Sequence, residues 1–262
     1  MTGSVFSGFI NGGFETGTTN GWIQNSGTWT TSKVTTDNKY QGDSAIIATP
    51  AATDANTLGN LYEVLQGNDS FRLNNAANGA HFSTLTQTVA GYTNSDMYFG
   101  FAAVLENPDS GHTAAETPKF SFSIYDNTAH SNLYAVAFNS INAGAMGVTW
   151  NTGLRNNGNS STWMYTDWNV IHVDTSVLSG LNGDSFTISV GAYDCALGGH
   201  GGYAYVDSFQ ADLPVANHGN FNLIQANQLI VESVPEPTSV GLWLLGGVAL
   251  WGYTWRKKKR TA

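Results

Sequence analysis

Sugars are held by flat ring faces that stack on their C–H surfaces and by amides and carboxylates that bond their hydroxyls. The densest aromatic group of this kind is Trp163-Met164-Tyr165-Thr166-Asp167-Trp168. On a strand, alternation puts Trp163 and Tyr165 on one face, and a strand start near Asp167 resets the count for Trp168. Trp163, Tyr165 and Trp168 are therefore the candidate glycan-stacking residues. The competing reading makes them core aromatics of a sandwich. Asn156, Asn157 and Asn159 form a polar loop close by in the chain and read as a solvated turn.

The most unusual local sequence is Asp194-Cys195-Ala196-Leu197-Gly198-Gly199-His200-Gly201-Gly202-Tyr203. Glycines around one histidine permit positive φ and close backbone approach, for a hairpin or for a ligand. Asp194, Cys195 and His200 carry metal-binding or nucleophilic chemistry, but zinc sites use three or four ligands at recognisable spacing. The reading adopted is a structural loop with Cys195 buried as a small apolar group and His200 bonded to backbone.

Other catalytic patterns are absent: the sequence has no HExxH, no GxSxG and no P-loop. A glycoside hydrolase needs only two carboxylates about 5–9 Å apart across a cleft, and sequence spacing leaves that minor alternative open. Residues 1–234 hold five basic and 18 acidic residues, a formal charge of −13. Such a body repels nucleic acid and anionic lipid and favours neutral glycans, cations or basic proteins. Cys195 is the only cysteine, so no intrachain disulfide forms.

These residues need a scaffold. With 11% charged residues, 30 glycines and frequent Asn, Ser and Thr between short apolar runs, the composition favours strands and turns. Alternating or apolar runs predict strands over 28–35, 44–48, 81–89, 97–105, 119–126, 133–139, 147–149, 168–174, 185–193 and 203–211. The expected fold is all-β, a jelly-roll β-sandwich over 1–212. Residues 213–234 read as a linker with one further strand.

The tail has a different character. Residues 238–255 carry no charge and span about 27 Å as a helix, enough to cross a bilayer. Arg256, Lys257, Lys258, Lys259 and Arg260 follow at once and hold that end on the cytoplasmic side. The order Pro235-Glu236-Pro237, apolar span, basic end closely resembles the PEP-CTERM sorting signal of Gram-negative bacteria over 235–262. The resemblance implies export to the cell envelope, recognition of Pro235, Glu236 and Pro237 by an exosortase, an integral-membrane cysteine protease, and a helix that serves as a temporary membrane anchor. The start, MTGSVFSGFINGG, lacks the basic and apolar regions of an export signal, which is expected upstream of Met1.

A second resemblance lies in the body. Asn11-Gly12-Gly13-Phe14-Glu15 with Gly21-Trp22, Tyr40-Gln41-Gly42-Asp43-Ser44-Ala45, Thr86-Gln87-Thr88-Val89, and Tyr203-Ala204-Tyr205-Val206-Asp207-Ser208-Phe209 are similar to the recurring elements of galactose-binding-like carbohydrate-binding modules. Many of these modules hold a structural calcium where the first and last strands meet. The resemblance implies Glu15 and Asp207 as carboxylate ligands, with oxygens near Asn11, Gln41 or Asp43 completing a hard-oxygen set. The competing reading leaves these acids as exposed strand ends.

Together these readings describe an exported, non-enzymatic surface or matrix protein that binds or organises extracellular polysaccharide. The alternative is a structural adhesion protein that binds no sugar.

Overall fold

Period-two alternation carries most of the body into strands. The computed structural model describes residues 8–139, 147–175 and 185–226. The chain divides into two units, 1–232 and 233–262, and every described residue belongs to the first. Pro235-Glu236-Pro237, the helix expected over 238–255 and the basic run 256–260 lie outside the described residues. Among the described residues no helix is long and apolar enough to cross a membrane.

The strands are β1 (Ile23–Thr30), β2 (Lys33–Thr36), β3 (Ala45–Ile47), β4 (Ser70–Leu73), β5 (His81–Val89), β6 (Asp96–Pro108), β7 (Lys119–Asp126), β8 (Ser131–Asn139), β9 (Trp150–Asn156), β10 (Ser161–Thr166), β11 (Asn169–Asp174), β12 (Phe186–Tyr193), β13 (Gly202–Gln210) and β14 (Asn222–Gln225). One sheet has the order β2-β1-β5-β12-β7-β8. The other runs β14-β11-β6-β13-β4-β3, with β10 pairing the far half of β6 and β9 pairing β10. The result is an all-β sandwich of two sheets.

The core lies between the sheets. Phe120, Phe122 and Ile124 from β7 and Ile188 and Val190 from β12 face Phe99, Phe101, Ala103 and Leu105 from β6. The ring pairs Phe101–Phe120 at 4.7 Å and Phe99–Phe122 at 4.9 Å cross the interface. Phe14 and Trp22 from the opening segment pack against Phe71 and Phe209. Gln87 clasps the same segment, accepting from the Ile10 amide at 2.8 Å and donating to its carbonyl at 2.9 Å.

The differences from the expected strands have local causes. The run 28–35 is a hairpin, with Thr30 opposite Lys33 and no glycine or proline at the turn to announce it. The short strand expected at 147–149 begins instead at Trp150. β4 and β10 form where none was expected, because four residues that include an arginine, and an aromatic run beside polar turns, show too little alternation to stand out. β14 lies within 213–234 and pairs in parallel with β11.

Candidate functional site

The opening and closing segments meet, and glycine makes this feasible. A Cβ on Gly12 would overlap the carbonyl of Phe209, whereas the Phe209 amide donates to the Gly12 carbonyl at 3.0 Å. This brings Glu15 and Asp207 together: Oε1 and Oδ1 lie 3.9 and 3.7 Å from the place a Gly13 Cβ would take. Both acids are then enclosed by backbone amides of the 65–69 loop. Asp207 Oδ2 accepts from Leu65 and Gln66 at 3.1 and 3.0 Å, and Oδ1 from the Ser208 hydroxyl at 3.3 Å. Glu15 accepts from the amides of Asn68 and Asp69 at 3.0 and 3.3 Å. Burial pushes the Asp207 carboxyl up to about 8 against the pull of these amides.

The expected calcium set does not assemble here. Asp43 sits beyond Ala45, which shares a rung with Arg72 and Tyr205. Asp43 itself closes the short 3-10 turn at 41–43 that precedes β3. Its carboxylate lies 3.3 Å from His81 Nδ1 instead. Calcium takes six to eight oxygens; the donors aimed at Glu15 and Asp207 are the amides of the 65–69 loop and the Ser208 hydroxyl.

The expected stacking residues are covered. Trp163, Tyr165 and Trp168 are 4%, 6% and 4% exposed and share an outer cluster on the β6 sheet with Val104, Tyr203 and Tyr205. Leu61 and Leu65, from the segment at 54–66, lie over them. Gly100 on β6 provides the space, since a Cβ there would meet the Leu65 side chain. Trp168 Nε1 donates to the Tyr62 carbonyl at 2.8 Å. Asp54 anchors the segment, accepting from the hydroxyls of Tyr203 and Tyr205, each at 2.7 Å. Alternation does put Trp163 and Tyr165 on one face, but the fold closes that face.

Among the described residues the opposite outer face is left uncovered. Strand pairing brings Thr86, Ser189 and Ser123 into one row and Thr88, Thr187 and Tyr125 into the next. Apart from the exposed Thr88, these side chains are part-buried. Hydroxyls pair across the strands, Thr86 with Ser189 at 3.3 Å and Thr88 with Thr187 at 2.9 Å. At one end Lys119 Nζ lies 4.1 Å from the ring centroid of Trp29, and burial lowers that ammonium to about 8. The sequence reading did not single out these hydroxyls, although Thr84, Thr86, Thr88 and Ser121, Ser123 repeat with period two.

In the glycine-rich loop, Cys195 is fully buried and Asp194 Oδ1 accepts from Asn74 Nδ2 at 2.8 Å and from the Gly202 amide at 3.1 Å. Desolvation pushes the Asp194 carboxyl up to about 8.

Residues 233–260 match the PEP-CTERM protein-sorting motif. The chain carries this sorting signal. The PEP-CTERM match takes in Pro235, Glu236, Pro237 and the basic end, and it marks the protein for export and surface association. No curated protein matches the chain in sequence. Among solved structures, the carbohydrate-binding module TmCBM61, in complex with β-1,4-galactotriose, is similar at 13% identity and a TM-score of 0.42, over 78% of this chain and 96% of that one. A non-crystalline cellulose specific module, CBM28, is similar at 12% identity and a TM-score of 0.34, over 76% and 92%. The enzymatically active domain of tailspike protein 4 from bacteriophage CBA120 is similar at 15% identity and a TM-score of 0.37, over 79% of this chain and 22% of that one. At such scores the chemistry of the body has to be read from its own residues.

Proposed function

We propose that the body is a non-enzymatic module that binds neutral extracellular polysaccharide on the open hydroxyl face of the β5–β12–β7 sheet. Delivery is by the sorting signal, with an exosortase-type membrane protease acting at Pro235-Glu236-Pro237 and the apolar span as temporary anchor. The observation that carries the reading is the asymmetry of the two outer faces. One is closed by the 54–66 segment, while the other presents rows of Ser and Thr hydroxyls beside Tyr125. Hydroxyl rows offer both donors and acceptors to sugar hydroxyls, and the acidic body disfavours anionic partners. The non-enzymatic reading is supported by the buried acids: Asp54, Glu106, Asp194 and Asp207 each accept fixed donors of the fold.

Affinity-gel electrophoresis of the full chain tests this. Retardation is expected on neutral polysaccharides, including the host's own, and its loss is expected in Ser189→Arg and Thr86→Arg variants that melt like the parent. Migration unchanged on every polysaccharide would overturn the reading and leave the structural adhesion role.

A further inference from the structure

We propose that His112, Cys195 and His200 form a binding site for one zinc ion. The three residues come from two loops at one end of the sandwich. His112 lies between β6 and β7, and Cys195 and His200 lie between β12 and β13. The loops are tied together, since the Ala196 amide donates to the Glu116 carbonyl at 2.8 Å. The ligating atoms, one from each side chain, all lie within 4.8 Å of one another. The two imidazoles stand nearly perpendicular, 83° apart with centroids 4.8 Å apart.

One hydrogen bond to each ring prepares it for a metal. His200 Nε2 lies 3.2 Å from the Asn159 carbonyl, and His112 Nδ1 lies 3.1 Å from the Ser110 carbonyl. A carbonyl only accepts, so each of these nitrogens carries the proton. In the neutral ring the other nitrogen then keeps its lone pair. Those other nitrogens, His200 Nδ1 and His112 Nε2, are buried and meet no hydrogen-bond partner among the described residues. His200 as a whole is 7% exposed. A buried acceptor without a donor is unfavourable by about 1–3 kcal/mol, and two in one cluster point to an electrophile that they share. Carbonyl partners that fix the tautomer are the usual outer shell of metal-bound histidines. Cys195 Sγ accepts from the Leu197 amide at 3.3 Å.

Two imidazoles and a thiolate select a borderline-soft transition ion over calcium or magnesium. Zinc bonds of about 2.0–2.3 Å at tetrahedral angles put ligand atoms about 3.4–3.6 Å apart, so the present cluster must contract by about an ångström. His112, half-buried on its loop, is the ligand free to move. Three protein ligands leave the fourth position to solvent. Glu106 is the positioning residue behind His200. Its carboxylate accepts from the Gly201 amide at 2.8 Å and from Asn159 Nδ2 at 3.0 Å, which fixes both the histidine loop and the carbonyl that orients its ring.

This site is independent of the glycan reading. The full chain without a histidine tag, freed of metal, should take up one equivalent of Zn²⁺ in competition with a chromophoric chelator. Co²⁺ should give the thiolate-to-cobalt charge-transfer band. Cys195→Ser should abolish the band, and His112→Ala should weaken Zn²⁺ binding at least tenfold while the metal-free melting temperature stays unchanged; His130→Ala should bind like the parent. Binding that is absent or not stoichiometric at micromolar Zn²⁺, an undiminished cobalt band in Cys195→Ser, or parental affinity in His112→Ala would overturn the proposal.

Discussion

The side-chain amide of Asn159 donates to the buried carboxylate of Glu106 at 3.0 Å, while the main-chain carbonyl of Asn159 faces His200 Nε2 at 3.2 Å. Glu106 also accepts from Asn156 Nδ2 at 2.7 Å and the Ser161 hydroxyl at 3.0 Å. One carboxylate thus gathers the 156–161 turn and the glycine-rich loop. Glu106→Ala would strand several buried donors at once, so a loss of about 3 kcal/mol or more is expected. Urea unfolding measures it, and a change under 1 kcal/mol would show the network to be dispensable.

Asp207 sets a pH dependence whose sign follows from burial. Its carboxyl is raised from 3.8 to about 8, chiefly by desolvation, so between those values the folded state holds a proton that the unfolded state has lost. Stability from this group is therefore greatest below about pH 4 and falls as pH rises towards 8, with a limiting slope of about 1.4 kcal/mol per pH unit. Asp207→Asn, whose amide oxygen still accepts from Leu65 and Gln66, should lower the slope between pH 5 and 7 by about 1.4 kcal/mol per pH unit, leaving the contribution of Asp194, which burial also raises to about 8. A parental slope in that variant would assign the dependence elsewhere.

The 54–66 segment is held to its sheet by two phenols. Tyr205 donates to Asp54 at 2.7 Å and its hydroxyl lies 3.1 Å from the acceptor Glu63 Oε1, while burial pushes the Glu63 carboxyl upward. Tyr205→Phe removes both bonds and keeps the ring. A loss of about 1–2 kcal/mol is expected. Limited proteolysis should then cut the segment near Leu58, which is exposed and left-handed at φ 59°; a digestion pattern identical to the parent would refute the clamp.

Glu15 and Asp207 are satisfied by amides, so calcium should not matter to folding. Melting temperatures with millimolar Ca²⁺ and with a calcium-selective chelator are expected to coincide. A drop of several degrees on chelation would make the two carboxylates ligands after all.

Local pattern determined a good deal about this protein. The sorting tail is a contiguous order of residues, so reading it required no fold. β5 and β7 have the boundaries that alternation predicts, because a strand buried on one face repeats every second residue.

Tertiary structure decided the rest. Alternation assigns residues to two faces but does not say what lies over each, so Trp163, Tyr165 and Trp168 could be read as open until the 54–66 segment was seen above them. Likewise the sequence grouped Asp194, and not His112, with Cys195 and His200, because His112 belongs to a distant loop that strand pairing between β7 and β12 carries to the same end of the sandwich. A site whose members are brought together by long-range sheet register leaves no spacing pattern along the chain.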